Sequence, residues 1–307
     1  MYQSVKATAI SLRPKKWDKA YNADKLEAAF VEASKENPDV MVATEGVLDG
    51  YVVMAVIEDP GLEGSMLELA EPIDGSYIGR FRELAKRLMS CLVFGFAERI
   101  GDEVYNAAIF IDSDGEIRGK HHKAMLAEGT TESWRFNRVG RILRAFDTPI
   151  GRAGIMICNE RWSPSIARAL VLDGAQLLFI PSYGSKSRAQ NKAVLARSRE
   201  NGVPIIEANV GMNLIISKGE IVAYKWGVDK ITTAVIEVPA PPSASAARNQ
   251  EAEYMALQGP EMQRRHYEGK RRRRGEDNLM SLAERGELIA GRDEIFSSEI
   301  AMEVGDF

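Results

Sequence analysis

Two hydrophobic periods alternate along the first three quarters of this chain, and together they restrict it to a layered α/β fold. Val5–Leu12, Val40–Glu45, Cys91–Ala97 and Leu177–Pro181 are apolar runs of strand length. Between them, Ala23–Glu36, Ser76–Met89 and Ala189–Glu200 carry apolar residues at helical spacing. In the first of these helices Leu26, Ala29, Phe30 and Ala33 share a face, and Asn37-Pro38 ends it. Val104–Asp112 and Ile117–His122 read as a hairpin around Ser113-Asp114-Gly115-Glu116. Leu143–Phe146 and Ala153–Cys158 read as strands flanking Thr148-Pro149-Ile150-Gly151. Ser163-Pro164 offers an N-cap and a favoured first residue to a helix over Ser165–Leu172, which Asp173-Gly174 closes, and Asn201-Gly202 ends the helix over Ala189–Glu200. Four further strands, Pro204–Asn209, Asn213–Ser217, Ile221–Tyr224 and Thr232–Val238, complete the β content, while Pro60–Pro72 and Glu128–Arg141 read as loops.

Composition narrows the partners. Forty basic and 44 acidic side chains in 307 residues leave a formal charge of -4, which gives no global pull toward nucleic acid or membrane. No apolar run reaches the roughly 20 residues of a membrane helix. The N-terminus, without a basic start followed by an apolar core, reads as no signal peptide. Two cysteines make no disulfide framework, so the expected location is the reducing cytoplasm. A Pro/Ala/Ser-rich break at Pro239 is followed by a polar tail that includes the basic run Lys270–Arg274.

Three predicted strand ends carry reactive groups, where open α/β sheets place their chemistry. Val40-Met-Val-Ala-Thr-Glu45 ends in a carboxylate, and Gly115-Glu-Ile-Arg-Gly-Lys-His-His-Lys123 delivers a cation. Gly154-Ile-Met-Ile-Cys158 ends in a thiol, close to a helix start that would favour its anion. A thiolate attacks a carbonyl carbon once its proton is removed, and Glu45 is the candidate base. Lys123 and the Asn159 N–H are candidate donors to the oxyanion that forms.

With these motifs in order, the chain resembles the nitrilase superfamily, the carbon–nitrogen hydrolases with a Glu-Lys-Cys triad. The likeness extends to Tyr105-Asn106, Phe146-Asp-Thr-Pro-Ile-Gly151, Asp173-Gly-Ala-Gln-Leu-Leu-Phe-Ile-Pro-Ser182, Ala196-Arg-Ser-Arg-Glu-Asn-Gly202 and Ala208-Asn209. It implies a four-layer αββα sandwich, catalysis by Glu45, Lys123 and Cys158, no metal, no organic cofactor, and a homodimer or larger homo-oligomer. It also implies a second glutamate beside the lysine, for which Glu132 fits better than Glu128. Residues 1–268 form the hydrolase domain on this reading, and 269–307 form an extension, a candidate oligomerisation arm. The segment after Cys158 is similar to that of the N-carbamoyl amino-acid amidohydrolases, which makes Arg161 a candidate anchor for a substrate carboxylate. The implied reaction is hydrolysis of a small linear amide or N-carbamoyl compound through a cysteine thioester.

Other readings of the same residues stand beside these. Tyr51, Trp134, Trp162 and Tyr183 are candidate walls of a substrate pocket, or else core and surface residues. His121 and His122 invite a Cys–His dyad, but lining the entrance or local hydrogen bonding suits them better, and Cys91 reads as a small buried hydrophobe. Lys270–Arg274 reads as a solvated or interface patch rather than a nucleic-acid site. The competing functions are a nitrilase forming a thioimidate from a nitrile, and a scaffold that keeps the fold without the chemistry.

Overall fold

The computed structural model describes residues 2–129, 134–184 and 187–241, together with Tyr254 and Ala256. Its first sheet is built from β1 (Gln3–Ser11), β2 (Val40–Val42), β3 (Cys91–Ile100), β4 (Glu103–Ile111) and β5 (Ile117–His122). The second holds β6 (Phe146–Thr148), β7 (Gly151–Ile155), β8 (Leu177–Ser182), β9 (Ile205–Asn209), β10 (Met212–Ser217) and β11 (Glu220–Trp226). The last strand, β12 (Lys230–Val238), returns to pair antiparallel with β1 along the whole length of that strand. The two six-stranded orders are β12-β1-β2-β3-β4-β5 and β11-β10-β9-β8-β7-β6.

Helices α1 (Lys19–Ser34), α2 (Val53–Glu58), α3 (Glu63–Leu69), α4 (Ser76–Leu88), α5 (Pro164–Leu172) and α6 (Arg188–Asn201) are the other elements. The Asp18 side chain caps α1 by accepting from the Tyr21 N–H. That helix buries Leu26, Phe30 and Ala33 against the first sheet, where Phe30 meets Phe81 of α4 and Phe94 of β3 with ring centroids 6.2 and 6.4 Å apart. Each such buried ring contributes about 2–3 kcal/mol relative to exposure. On the second sheet, α5 and α6 bury Ile166, Leu170 and Val194 with Met156, Leu178 and Leu214. A third apolar layer lies between the sheets: Val5, Val42, Val93 and Phe110 of one meet Ile155, Phe179, Ile206 and Ile215 of the other. Three apolar layers separate four layers of secondary structure, which is the expected αββα sandwich.

Several local expectations are corrected. Leu143 and Ala145 are buried but lie outside any strand, and β6 begins only at Phe146. They are apolar because they pack against the α5–α6 layer, not because they join a ladder. The strand before the thiol ends at Ile155, three residues short of Cys158. Ser163 occupies the N-cap position of α5, yet its hydroxyl pairs with that of Ser165 at 3.0 Å and caps nothing. Pro60–Pro72, read as loop, contains a 3-10 turn and α3. The tail 269–307, the basic run and Glu132 lie outside the described residues. Among the described residues no helix is long and apolar enough to cross a membrane.

Candidate active site

Strands β1, β2 and β3 run parallel, β4 and β5 then reverse twice, and β7, β8 and β9 run parallel in the second sheet. Glu45, Lys123, Cys158 and Tyr183 therefore all follow the C-terminal ends of such strands: β2, β5, β7 and β8. Glu45 comes this close to β3 because residue 95 is glycine. A Cβ on Gly95 would stand 2.6 Å from the Glu45 Cα.

The Glu45 carboxylate is fully buried and has a donor at each oxygen. Oε1 accepts from Lys123 Nζ at 2.6 Å and from Asn106 Nδ2 at 2.7 Å, and Oε2 accepts from the Tyr183 N–H at 2.8 Å. Asn106 also takes the Lys123 N–H on its carbonyl at 2.8 Å, so one strand residue holds both charged partners. Lys123 is itself fully buried. Burial alone would lower its ammonium, but Glu45 and Glu128 hold it above the ordinary lysine range.

Cys158 reaches the same segment: Tyr183 donates its N–H to Glu45, and at the next residue a Cβ on Gly184 would be 3.6 Å from the Cys158 sulfur. Its backbone is left-handed, with φ 51°, at the start of a 3-10 turn over Cys158–Trp162. A non-glycine residue held there stores about 1–3 kcal/mol of strain, the kind of cost that concentrates at functional sites. The expectation that a helix start favours the thiolate is not met, since α5 begins only at Pro164. Instead, burial and then the Glu45 carboxylate push the thiol up to about 11, against Lys123 and Arg161.

Tyr51 and Tyr183 stack with ring centroids 4.5 Å apart, and the Tyr51 hydroxyl donates to Glu128. Lys123 Nζ lies 5.9 Å from the centre of the Tyr51 ring. Among the described residues Glu128 is the second carboxylate near the lysine, and Glu132 lies outside them. Trp134 takes the core alternative, packed on Phe136 at 5.1 Å in a satellite cluster below Tyr51. Trp162, 47% exposed, takes the surface one. Asn159 follows the nucleophile and is half-buried, with its Oδ1 buried and unpartnered among the described residues. His121 is engaged by Glu160 and His122 by Glu98, which matches local hydrogen bonding rather than a dyad. Cys91 is buried in β3, where burial pushes its thiol up to about 12.

Arg161 is corrected outright as a substrate anchor. Its guanidinium is completely buried and its donors are committed: Nε to the Cys158 carbonyl at 2.6 Å, Nη2 to Ser182 Oγ at 2.6 Å, and Nη1 to Glu207. Arg161 therefore braces the Cys158 turn against β8 and β9. Arg161→Lys, which cannot reproduce the fork, is expected to lower kcat/KM about equally for carboxylate-bearing and uncharged substrates. A loss confined to the carboxylate-bearing ones would restore the anchor role. Glu207, Asn106 and Glu160 escape sequence reading because their partners, respectively Arg161, Glu45 with Lys123, and His121 with Ala124, are distant along the chain. For Asn106 alone the Tyr-Asn pair was a signal.

A carboxylate–ammonium pair hydrogen-bonded in a buried site, with a strained thiol against it, suits acyl transfer through sulfur. The carbon–nitrogen hydrolase family model matches residues 6–225, and the chain belongs to that family. The N-carbamoylputrescine amidase of Oryza sativa subsp. japonica is 31% identical over 198 residues, 63% of this chain and 62% of that protein. The citrullinase of Francisella tularensis is 28% identical over 205 residues, 62% of this chain and 69% of its own length. An amidase from Nesterenkonia sp. has the same fold, with a TM-score of 0.65 at 18% identity over 82% of this chain and 95% of that one.

Proposed function

We propose that the protein hydrolyses a non-peptide C–N bond of a small linear amide or N-carbamoyl compound through a thioester on Cys158. The observation that carries this reading is the Tyr183-Gly184 segment, whose Tyr183 N–H donates to the Glu45 carboxylate and whose Gly184 stands beside the Cys158 sulfur, while Lys123 holds the other Glu45 oxygen. Glu45 takes the thiol proton as sulfur attacks the carbonyl carbon, and the Lys123 ammonium stabilises the oxyanion. Collapse of the tetrahedral intermediate passes the proton from Glu45 to the leaving nitrogen, releasing ammonia from a primary amide. Water, deprotonated by the same carboxylate, then hydrolyses the thioester and returns the thiol.

Two relatives whose names specify N-carbamoylputrescine and citrulline support the N-carbamoyl class. The burial of Arg161 weighs against a requirement for a carboxylate next to the scissile group. The same reading has the protein acting as a cytoplasmic homo-oligomer on a small molecule, with family resemblance as its support. Ammonia release over a panel of linear amides, ureido compounds and nitriles tests it. Release from amides or ureido compounds is expected, and release from nitriles alone would reverse the assignment in favour of a thioimidate pathway.

A further inference from the structure

The Lys123 ammonium and the Cys158 thiol belong to different sheets. Lys123 follows β5, which among the described residues is an edge strand paired only with β4, and Cys158 follows β7 in the other sheet. The backbone bonds that hold Lys123, from its N–H to the Asn106 carbonyl and from the Gly140 N–H to its carbonyl, tie it to neighbours of its own strand and loop. Neither fixes its separation from the thiol.

Glu160 spans that gap. It is fully buried, two residues after the nucleophile. One oxygen, Oε2, accepts the Ile157 N–H at 2.6 Å, directly before Cys158. The other, Oε1, accepts the Ala124 N–H at 2.7 Å and the Met125 N–H at 3.3 Å, directly after Lys123. His121, two residues before Lys123, places Nε2 at 3.1 and 2.9 Å from the two oxygens. Burial alone would raise this carboxyl, yet His121 and the backbone donors hold it below the usual glutamate range. A residue that merely capped the turn would need the Ile157 N–H alone.

We propose that Glu160 is a positioning residue that sets the distance between Lys123 and Cys158, one carboxylate gripping the backbone beside each. The inference rests on the catalytic reading above. It requires both oxygens to be acceptors, which makes the isosteric amide a discriminating change. In Glu160→Gln one end becomes a donor facing either the Ile157 N–H or the Ala124 N–H, so one grip is lost while volume is kept.

Steady-state ammonia release by the full chain, and the rate at which iodoacetamide alkylates Cys158 as a function of pH, are the two readouts. A misplacement near 1 Å costs on the order of 100-fold in rate. Glu160→Gln is expected to lower kcat by about that factor with KM within about threefold, and to slow alkylation because Lys123 no longer sits against the thiol. Glu160→Asp keeps two acceptors on a shorter stem and is expected to retain more kcat than Glu160→Gln. If Glu160→Gln does not fold, Glu160→Asp carries the test, with kcat at least about tenfold below wild type expected at unchanged KM. A folded Glu160→Gln with wild-type kcat and alkylation profile, or a folded Glu160→Asp with wild-type kcat where the amide fails to fold, would overturn the proposal. Failure of the catalytic reading is seen separately, as wild-type protein that turns over nothing that Cys158→Ala does not. In that event alkylation alone decides between the outcomes for Glu160.

Discussion

Cys158→Ala is expected to abolish ammonia release, by on the order of 10,000-fold or more, while leaving the sandwich folded. The sulfur is the only group in the site with the nucleophilicity to form the covalent intermediate among the described residues, and no neighbour replaces it. Folding should survive because Cys158 sits at the rim of the inter-sheet core, whose apolar layer is carried by Ile155, Phe179 and Ile206. Measurement of kcat beside a thermal melt checks both halves. Residual turnover within tenfold of wild type would remove the thiol from the mechanism and leave Glu45 and Lys123 as a buried structural pair.

Lys123→Ala is expected to damage activity and stability together. Lys123 and Glu45 are each fully buried and joined at 2.6 Å. Removing one partner of such a pair leaves the other charged in a site of low polarity, at a cost of about 3–5 kcal/mol. Asn106 and the Tyr183 N–H still solvate Glu45, which keeps the expected loss toward the lower end of that range. Without the ammonium the oxyanion also loses a charged donor, about 3 kcal/mol of transition-state stabilisation. A urea titration of the variant should therefore show a lower midpoint, and its kcat should fall by about 100-fold or more. A variant with normal stability and low activity would mean that Glu45 does not depend on this lysine for its charge balance.

The α/β layering was legible because periodicity reports which face of an element is buried. Phe30 and Phe81 fall on helical stripes, and Val5 and Phe179 fall in strand-length apolar runs. Glu45 and Cys158 were legible for a related reason, since each ends an apolar run and such ends lie at the rim of a sheet, whereas Lys123 was legible as the end of a polar hairpin strand. What stayed hidden was set by partners distant in the chain. The left-handed turn at Cys158 is fixed by Arg161 on its carbonyl, and Arg161 is fixed in turn by Glu207 and Ser182 from two other strands. The sequence suggests a substrate-carboxylate anchor at Arg161 because nothing local to it announces Glu207. Helices α2 and α3 were missed because each spans only one or two turns, too short for a periodicity, and is held by packing of Val53, Ile57 and Met66. Leu143 was mistaken for a strand residue because burial in a loop leaves the same apolar mark as burial in a ladder.

The proposed hydrolysis passes through the Cys158 sulfur, and a single experiment reaches that step. Acid quenching of the protein during steady turnover of a linear amide, followed by mass spectrometry of its peptides, reads this directly. The peptide that contains Cys158 should carry the acyl group of the substrate, and hydroxylamine should remove it. An acyl group found on Cys91 or on any other residue would contradict the account.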